Sequence, residues 1–412
     1  MSTASKGMIG YLLIAIIALG IGVGISYFVF GGTSLIAPQP EQEKLKVAFL
    51  YVGPLGEGFG WNYAHEEGRL ITQSAFNSWL ISNYSENVPE GQAGSYMDNY
   101  VSLGYKVIFT TSFGYMDATY TAAETHTDVL FFHCGGYKRR ANMGTYYAEM
   151  YQAYYLDGLV AGALTKTGKL GLVLPHLIPE IYRLANAFAI GAQESYNLVH
   201  PGQNITIAIR LLHAWYDPTK ARQAALDLIN WGADVLEFSE DSPTVVQVAE
   251  EKTEAGQQIY TFSHYTPMYQ FGNNSVVTGH LVHWEVLYED ILMKVKLGIY
   301  NNTNLADVDY WWMLREGAIE MGADYGMPIN PKFVPELQSI TVNSPTLGTM
   351  SIYNYIMTRL AQMSEANVVF DPFTGPLYAN NGTLIVPEGV RMDYLTLMAM
   401  EWLVAHIEQP AE

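Results

Sequence analysis

Four short stretches carry side chains able to hold a small molecule, and each has an ordinary structural reading beside it. The first is Gly53-Pro-Leu-Gly-Glu-Gly-Phe-Gly60, followed by Trp61-Asn62-Tyr63. Its glycines let the backbone approach a ligand closely. It has neither Gly-Lys-Ser/Thr nor G-x-G-x-x-G spacing, so a phosphate cradle does not follow. It supports a lip that brings Trp61, with Phe59 and Asn62 beside it, to a cleft; the alternative is that Trp61 merely starts a helix and packs in a core. The second is Thr110-Thr-Ser-Phe-Gly-Tyr115, small hydroxyls followed by Phe113 and Tyr115, either presented to a ligand or packed inward in a plain turn. The third is Ser239-Glu-Asp-Ser-Pro243. Asp241 or Ser242 would cap a helix opened by Pro243, and a capping residue can also line a cleft. The fourth is Phe262-Ser-His-Tyr265, with His264 as a ligand contact or as a satisfied structural histidine.

His280, His283 and Trp284 cluster in sequence, and with His264 and Glu285 they raise the question of a metal. H-x-x-H at a strand end sends the two rings to opposite faces, so no metal ion is expected. Cys134 is the single cysteine. It excludes an internal disulfide or a multi-cysteine cluster, and its strand-like surroundings read as a buried, inert thiol. No G-x-S-x-G nucleophile elbow occurs. Glu57 and Asp241 are acidic loop residues that could act as general acids, which keeps an enzyme as the alternative, but the clustered aspartates of a metal-dependent hydrolase are missing. No cofactor is expected.

These residues sit at the ends of short apolar runs. The runs at 46–52, 106–112, 128–134, 169–175, 205–211, 233–239 and 258–264 read as buried strands. Helical patterns lie between them: Trp61 to Trp79, Thr145 to Leu164, Glu180 to Tyr196, Pro218 to Trp231, Pro243 to Ala255, and later Trp284 to Leu297 and Tyr394 to Ile407. The aromatic stretch Tyr146 to Leu159 is read within the second of these as mostly packing. Strands alternating with such helices specify an α/β fold of βαβ units with parallel sheets, doubly wound by right-handed crossovers. Ligands in such sheets bind beyond the carboxyl ends of the strands, where all four stretches fall.

The chain has 412 residues, enough for two lobes. Breaks are expected near Thr165 to Lys169 and Gly279 to His283. The division is 44–165 with 283–412 as lobe 1, the C-terminal extension crossing between lobes, and 166–282 as lobe 2. With 21 Lys plus Arg against 40 Asp plus Glu, the net charge of −19 disfavours a nucleic-acid partner. Residues 1–7 read as a cytoplasmic N-terminus. Met8 to Phe30 contains no charged side chain. As a helix of ~1.5 Å rise per residue it would cross a bilayer of about 30 Å, as an uncleaved anchor or a signal segment. Lys6 precedes it and no basic residue follows before Lys44, which places the remaining chain outside the cytoplasm. Residues 31–43 form a polar tether, and five Asn-x-Ser/Thr sequons follow, at Asn83, Asn204, Asn273, Asn301 and Asn381.

Taken together, KVAFLYVGPLGEGFGWNYAHEEGR (46–69), GTYYAEMYQAYYLDGLVAG (144–162), WYDPTKARQAALDLINWGADVLEFSEDSPTVVQVAEE (215–251), FTGPLYANNGTLIVPEG (373–389) and Met398 to Val404 resemble the basic membrane protein family, Med- and PnrA-like, of ABC-transporter substrate-binding proteins. The resemblance implies a type I periplasmic-binding fold, two hinged lobes joined by three crossings, and a purine nucleoside or nucleobase bound between them without chemical change. It implies an ABC permease as partner, a monomer, and a cell-membrane location through the N-terminal helix. The family's Phe-Asn pair at the start of the first helix matches Trp61 and Asn62. An aspartate of the nucleoside-binding branch falls near His264, and its lysine near His283 and Trp284, which puts ribose recognition in question and points to the Med-like branch. An extracellular nucleoside-processing enzyme and a ligand sensor on the same scaffold are the alternatives.

Overall fold

The computed structural model describes residues 43–56, 59–365 and 370–408. The expected membrane segment 8–30, the tether up to residue 42, and Glu57 lie outside the described residues. Among those described, no helix is long and apolar enough to cross a membrane.

From Leu45 the chain alternates as the apolar runs require: β1 Leu45–Leu50, α1 Gly60–Ala75, β2 Leu80–Ser85, α2 Ala93–Ser102, β3 Val107–Thr110, α3 Met116–Thr125, β4 Leu130–Cys134 and β5 Met143–Ala148. Strands β3, β4 and β5 are buried along their whole length, as a sheet covered on both faces demands. The order is β11-β5-β4-β3-β1-β2, all parallel, with β11 (Asp309–Trp312) returning much later in sequence.

The second lobe begins with α4 Tyr151–Leu164, followed by β6 Lys169–Leu174, α5 Pro179–Val199, β7 Thr206–Leu211, α6 Pro218–Trp231, β8 Val235–Phe238, α7 Thr244–Glu254, β9 Thr261–Tyr265 and β10 Val276–Val282. Helix α6 shows the sequence logic clearly. Asp217 accepts the Lys220 N–H at 3.0 Å, Pro218 opens the first turn, and Gly232 closes the helix at φ 109°. Strands β7-β6-β8 are parallel. β8 joins β9 through Leu236 N–H to Tyr260 O at 2.9 Å and Tyr260 N–H to Asp234 O at 2.9 Å. β10 then pairs parallel with β9, and β12 (Ile319–Met321) pairs antiparallel with β10. Two sheets of like topology result.

The expected helix from Thr145 starts later, because Met143–Ala148 is the fifth strand of the first sheet. Helix α4 is buried on every side and packs on α5 so closely that a Cβ on Gly158 would strike the Phe188 carbonyl. It lies with α5, β10 and β12, so the chain passes between lobes at Glu149–Met150, ahead of the break expected at Thr165 to Lys169. The second passage is at His283, between β10 and α8 (Trp284–Lys296), which returns to pack on α1. The third runs from Met313 to Ala318. The passages are bonded to one another: Glu149 N–H reaches Trp312 O at 2.8 Å, and His283 N–H reaches Ala318 O at 2.9 Å.

Beyond β12, where lobe 1 with an extension crossing between lobes was the expectation, the chain packs mainly on the second lobe, and Tyr394 reaches the first-lobe sheet, donating to Asp309 of β11 at 2.9 Å and meeting the Trp311 ring at 4.9 Å. It forms α9 Val334–Ser339, the hairpin β13 Thr341–Ser344 and β14 Gly348–Ser351, α10 Ile352–Ser364, the hairpin β15 Leu377–Tyr378 and β16 Leu384–Val386, and α11 Tyr394–Met398. The helix expected over Tyr394 to Ile407 stops after five residues. Its remainder runs along the edge of β7: Ile207 N–H bonds His406 O at 2.9 Å and Glu408 N–H bonds Ile207 O at 2.9 Å. A free sheet edge offers unpaired backbone groups, and here their pairing overrides helical periodicity.

Candidate functional site

A cavity of about 290 Å³ opens between the lobes, beyond the carboxyl ends of strands from both sheets. The first lobe supplies Val52 after β1, Trp61 in the first turn of α1, Glu90, and Thr111 to Gly114 after β3. The second supplies His176, Ile178 and Glu180 after β6, Trp215 after β7, Asp241 after β8, and Tyr265 at the end of β9.

Trp61 is held at several points. Its indole Nε1–H donates to the Thr111 carbonyl at 2.8 Å, and its backbone N–H donates across the cleft to Asp241 Oδ1 at 3.3 Å. His65, Trp284 and Tyr265 meet it edge to face, with centroids at 4.6, 5.2 and 5.3 Å. Gly60 precedes it at φ 81°, and a Cβ there would press on the Asp241 carbonyl at 3.0 Å. The lobes meet so closely at this point that only glycine fits both conformation and space.

The polar lining combines the carboxyl groups of Glu90, Glu180 and Asp241 with Thr111, Ser112 and His176. Asp241 is held up at about 7 by burial and by Glu180, against the pull of the Trp61 N–H. Burial also raises Glu180, opposed by the Tyr147 hydroxyl and by Arg183. Burial and His213 lower His176. Glu90 accepts the Ser112 hydroxyl at 3.1 Å. Among the described residues, no lysine or arginine lines the cavity. Trp215 stands beside His176 at 5.4 Å, and Phe113 is largely exposed at the rim.

Of the residues singled out in the sequence, Trp61, Phe113 and Asp241 line the cavity. The others lie elsewhere, for identifiable reasons. Asn62 is buried with its amide against Gly53. Phe59 packs edge-on against Phe271 of the second lobe. Tyr115 is fully buried and donates to Val88 O at 2.7 Å. Ser242 is buried on Glu240 and Thr244. His264 is buried in the second sheet. His283 is clasped between Glu285 at 2.8 Å and Glu320 at 2.9 Å. Trp284 is fully buried behind Trp61, stacked on His65 at 4.0 Å.

Sequence reasoning passed over His176, Ile178, Glu180 and Trp215. The signal for them was present: the segment after 169–175 and the one after 205–211 are strand-end loops like the four considered. Tyr265, at the end of the His264 stretch, turns to the cavity while its neighbour turns to the core.

The family of ABC transporter substrate-binding proteins described as PnrA-like matches residues 44–343. A purine-binding protein of Brucella abortus (strain 2308) is 30% identical over 93% of this chain and 97% of its own. A protein of Haloferax volcanii, provisionally named as a glucose-binding protein of an ABC transporter, is 32% identical over 69% of this chain and 68% of its own. An ABC transporter solute-binding protein of Aeropyrum pernix K1 superposes with a TM-score of 0.60 at 15% identity, over 77% of this chain and 86% of its own, and shares the fold. With two parallel-sheet lobes and a cavity between them, this chain belongs to the PnrA-like family of ABC transporter substrate-binding proteins.

Proposed function

We propose that the protein, tethered to the cell surface by its N-terminal apolar segment, binds a purine nucleobase or nucleoside in the inter-lobe cavity and hands it unaltered to an ABC permease. The carrying observation is the lining: rings from both lobes, Trp61 and Phe113 with Trp215 and Tyr265, together with carboxylates and, among the described residues, no lysine or arginine. A purine offers flat faces for stacking and N–H donors at its edge. Carboxylates accept those donors, while a described lining without lysine or arginine opposes phosphorylated ligands. The volume is at the small end of the ~300–1,000 Å³ usual for ligand sites, which suits a single heterocycle. The purine-binding name of the Brucella relative supports the same reading. Closure follows from contacts to both lobes at once, since a ligand favours whichever state it touches more.

The glucose-binding name of the Haloferax relative favours a second reading, because rings flanked by carboxylates also suit a hexose. Mass spectrometry of small molecules released on denaturing the purified protein separates the two. A purine supports the first reading, and a hexose replaces it with the second. Chromatography after long incubation with adenosine or inosine tests the enzyme alternative: cleaved product would overturn a carrier role.

A further inference from the structure

The second lobe buries a set of ionisable groups that takes no part in the cavity. Asp157 on α4, Glu237 on β8 and His280 on β10 are all fully buried, and one ligating atom from each lies within 4.8 Å of the other two. His280 Nδ1 faces Asp157 Oδ2 at 2.7 Å. Its Nε2 faces His264 Nδ1 at 2.6 Å, and the Tyr154 ring lies on its face at 3.9 Å. Glu237 Oε1 accepts the Phe238 N–H at 2.7 Å. The second oxygens, Asp157 Oδ1 and Glu237 Oε2, have no hydrogen-bond partner. Among the described residues, no lysine or arginine pairs with either acid.

Two adjoining carboxylates out of water are costly unless a counter-charge or protons neutralise them. Burial does push both acids well above the usual carboxylate range when nothing else is present. The arrangement also fits a cation. Two carboxylates and a neutral imidazole balance a divalent ion, and their mixed oxygen and nitrogen donors suit zinc or a neighbouring transition metal. His280 would ligate through the nitrogen that faces Asp157. Its other N–H would donate to His264, the support that orients a ligating imidazole. The H-x-x-H spacing is irrelevant to this set: His283 stands at the lobe passage, and the partners of His280 come from distant segments of the chain.

We propose that Asp157, Glu237 and His280 form a buried site for one divalent transition-metal ion of the zinc class, joining α4 to strands β8 and β10. The site does not depend on what the cavity binds. Glu237→Gln is the discriminating variant, since the amide oxygen can still accept the Phe238 N–H. The full-length protein, produced in zinc-supplemented medium and dialysed exhaustively against chelator-free, metal-depleted buffer, is analysed by inductively coupled plasma mass spectrometry. About one zinc per chain is expected in the wild type and less than about a tenth of that in Glu237→Gln, whose Tm should fall by several degrees. A metal-free wild type, or equal metal in both proteins, would overturn the proposal. So would a variant as stable as the wild type or more stable, since neutralising one of two metal-free buried acids relieves their repulsion. Cobalt-loaded wild type needs no variant to fold: visible d–d bands are expected, and their absence counts against the site.

Discussion

The rings that line the cavity and the rings packed behind it differ in what closes over them. Trp284, Tyr288, Phe49 and Phe109 are fully buried. Phe49 stacks on Phe109 at 4.8 Å, and Tyr288 meets both edge-on at 5.0 and 4.9 Å. All four pack in the same core cluster and none of them lines the cavity, so their role is to hold the first lobe together. Trp61 touches the same cluster through Trp284 yet also lines the open cavity. An abundance of aromatic residues therefore does not mark a binding site. A ring becomes a binding surface where two lobes stop short of each other and leave one of its faces uncovered.

Paired substitutions can break or sharpen this contrast. Trp284→Ala empties a fully buried site and should cost about 3–5 kcal/mol of stability, read from urea denaturation. Trp61→Ala should cost clearly less stability but weaken ligand binding by about 1–3 kcal/mol, the worth of one stacked base, read by calorimetry. Equal stability losses for the two would erase the distinction.

Asp241 gives a smaller effect with a defined sign. Its folded value of about 7 lies above the ~3.9 of a free aspartate, so folding takes up a proton. Its contribution is fullest at acid pH and is lost as pH rises through 7. Asp241→Asn should therefore gain stability relative to the wild type between pH 5 and pH 8, and parallel profiles for the two proteins would contradict this placement.

At the passage between lobes the sign has the same direction but a different cause. Burial works against the charge of His283, yet the hydrogen bonds and charges of Glu285 and Glu320 outweigh it and lift it to about 9. Its stabilisation should be complete below the ~6.5 of a free histidine and fade as pH rises through 9. His283→Gln should flatten the denaturation profile in that window.

The smallest effect concerns closure. Tyr325 OH, on the second lobe, donates to Glu67 of α1 at 2.8 Å. Tyr325→Phe should reduce ligand affinity by at most about 1 kcal/mol, because the bond is exposed to solvent.

Much of the fold was legible because buried parallel strands are continuous apolar runs and their helices carry caps, as Asp217, Pro218 and Gly232 show. The strands that escaped notice are instructive. LISNYS of β2 is an edge strand, half exposed and polar. MGTYYA of β5 runs directly into the ring-rich α4, so one periodicity masks the other. The site was legible in part. Trp61, Phe113 and Asp241 followed from strand-end loops, as the geometry of parallel sheets dictates. Tyr115, His264 and Trp284 come from the same loops or their neighbours, but local sequence does not say which side chain turns inward. That depends on packing against residues far along the chain, such as Val88 for Tyr115 and His65 for Trp284.

The central claim is that two lobes clamp a flat heterocycle against Trp61. Isothermal titration calorimetry of the full-length protein against adenine, guanine, their nucleosides and glucose tests it most directly. One purine bound per chain, with affinity reduced at least about fivefold by Trp61→Ala, is the predicted result. Binding of glucose with no purine response at millimolar concentration, or purine binding indifferent to Trp61→Ala, would contradict it.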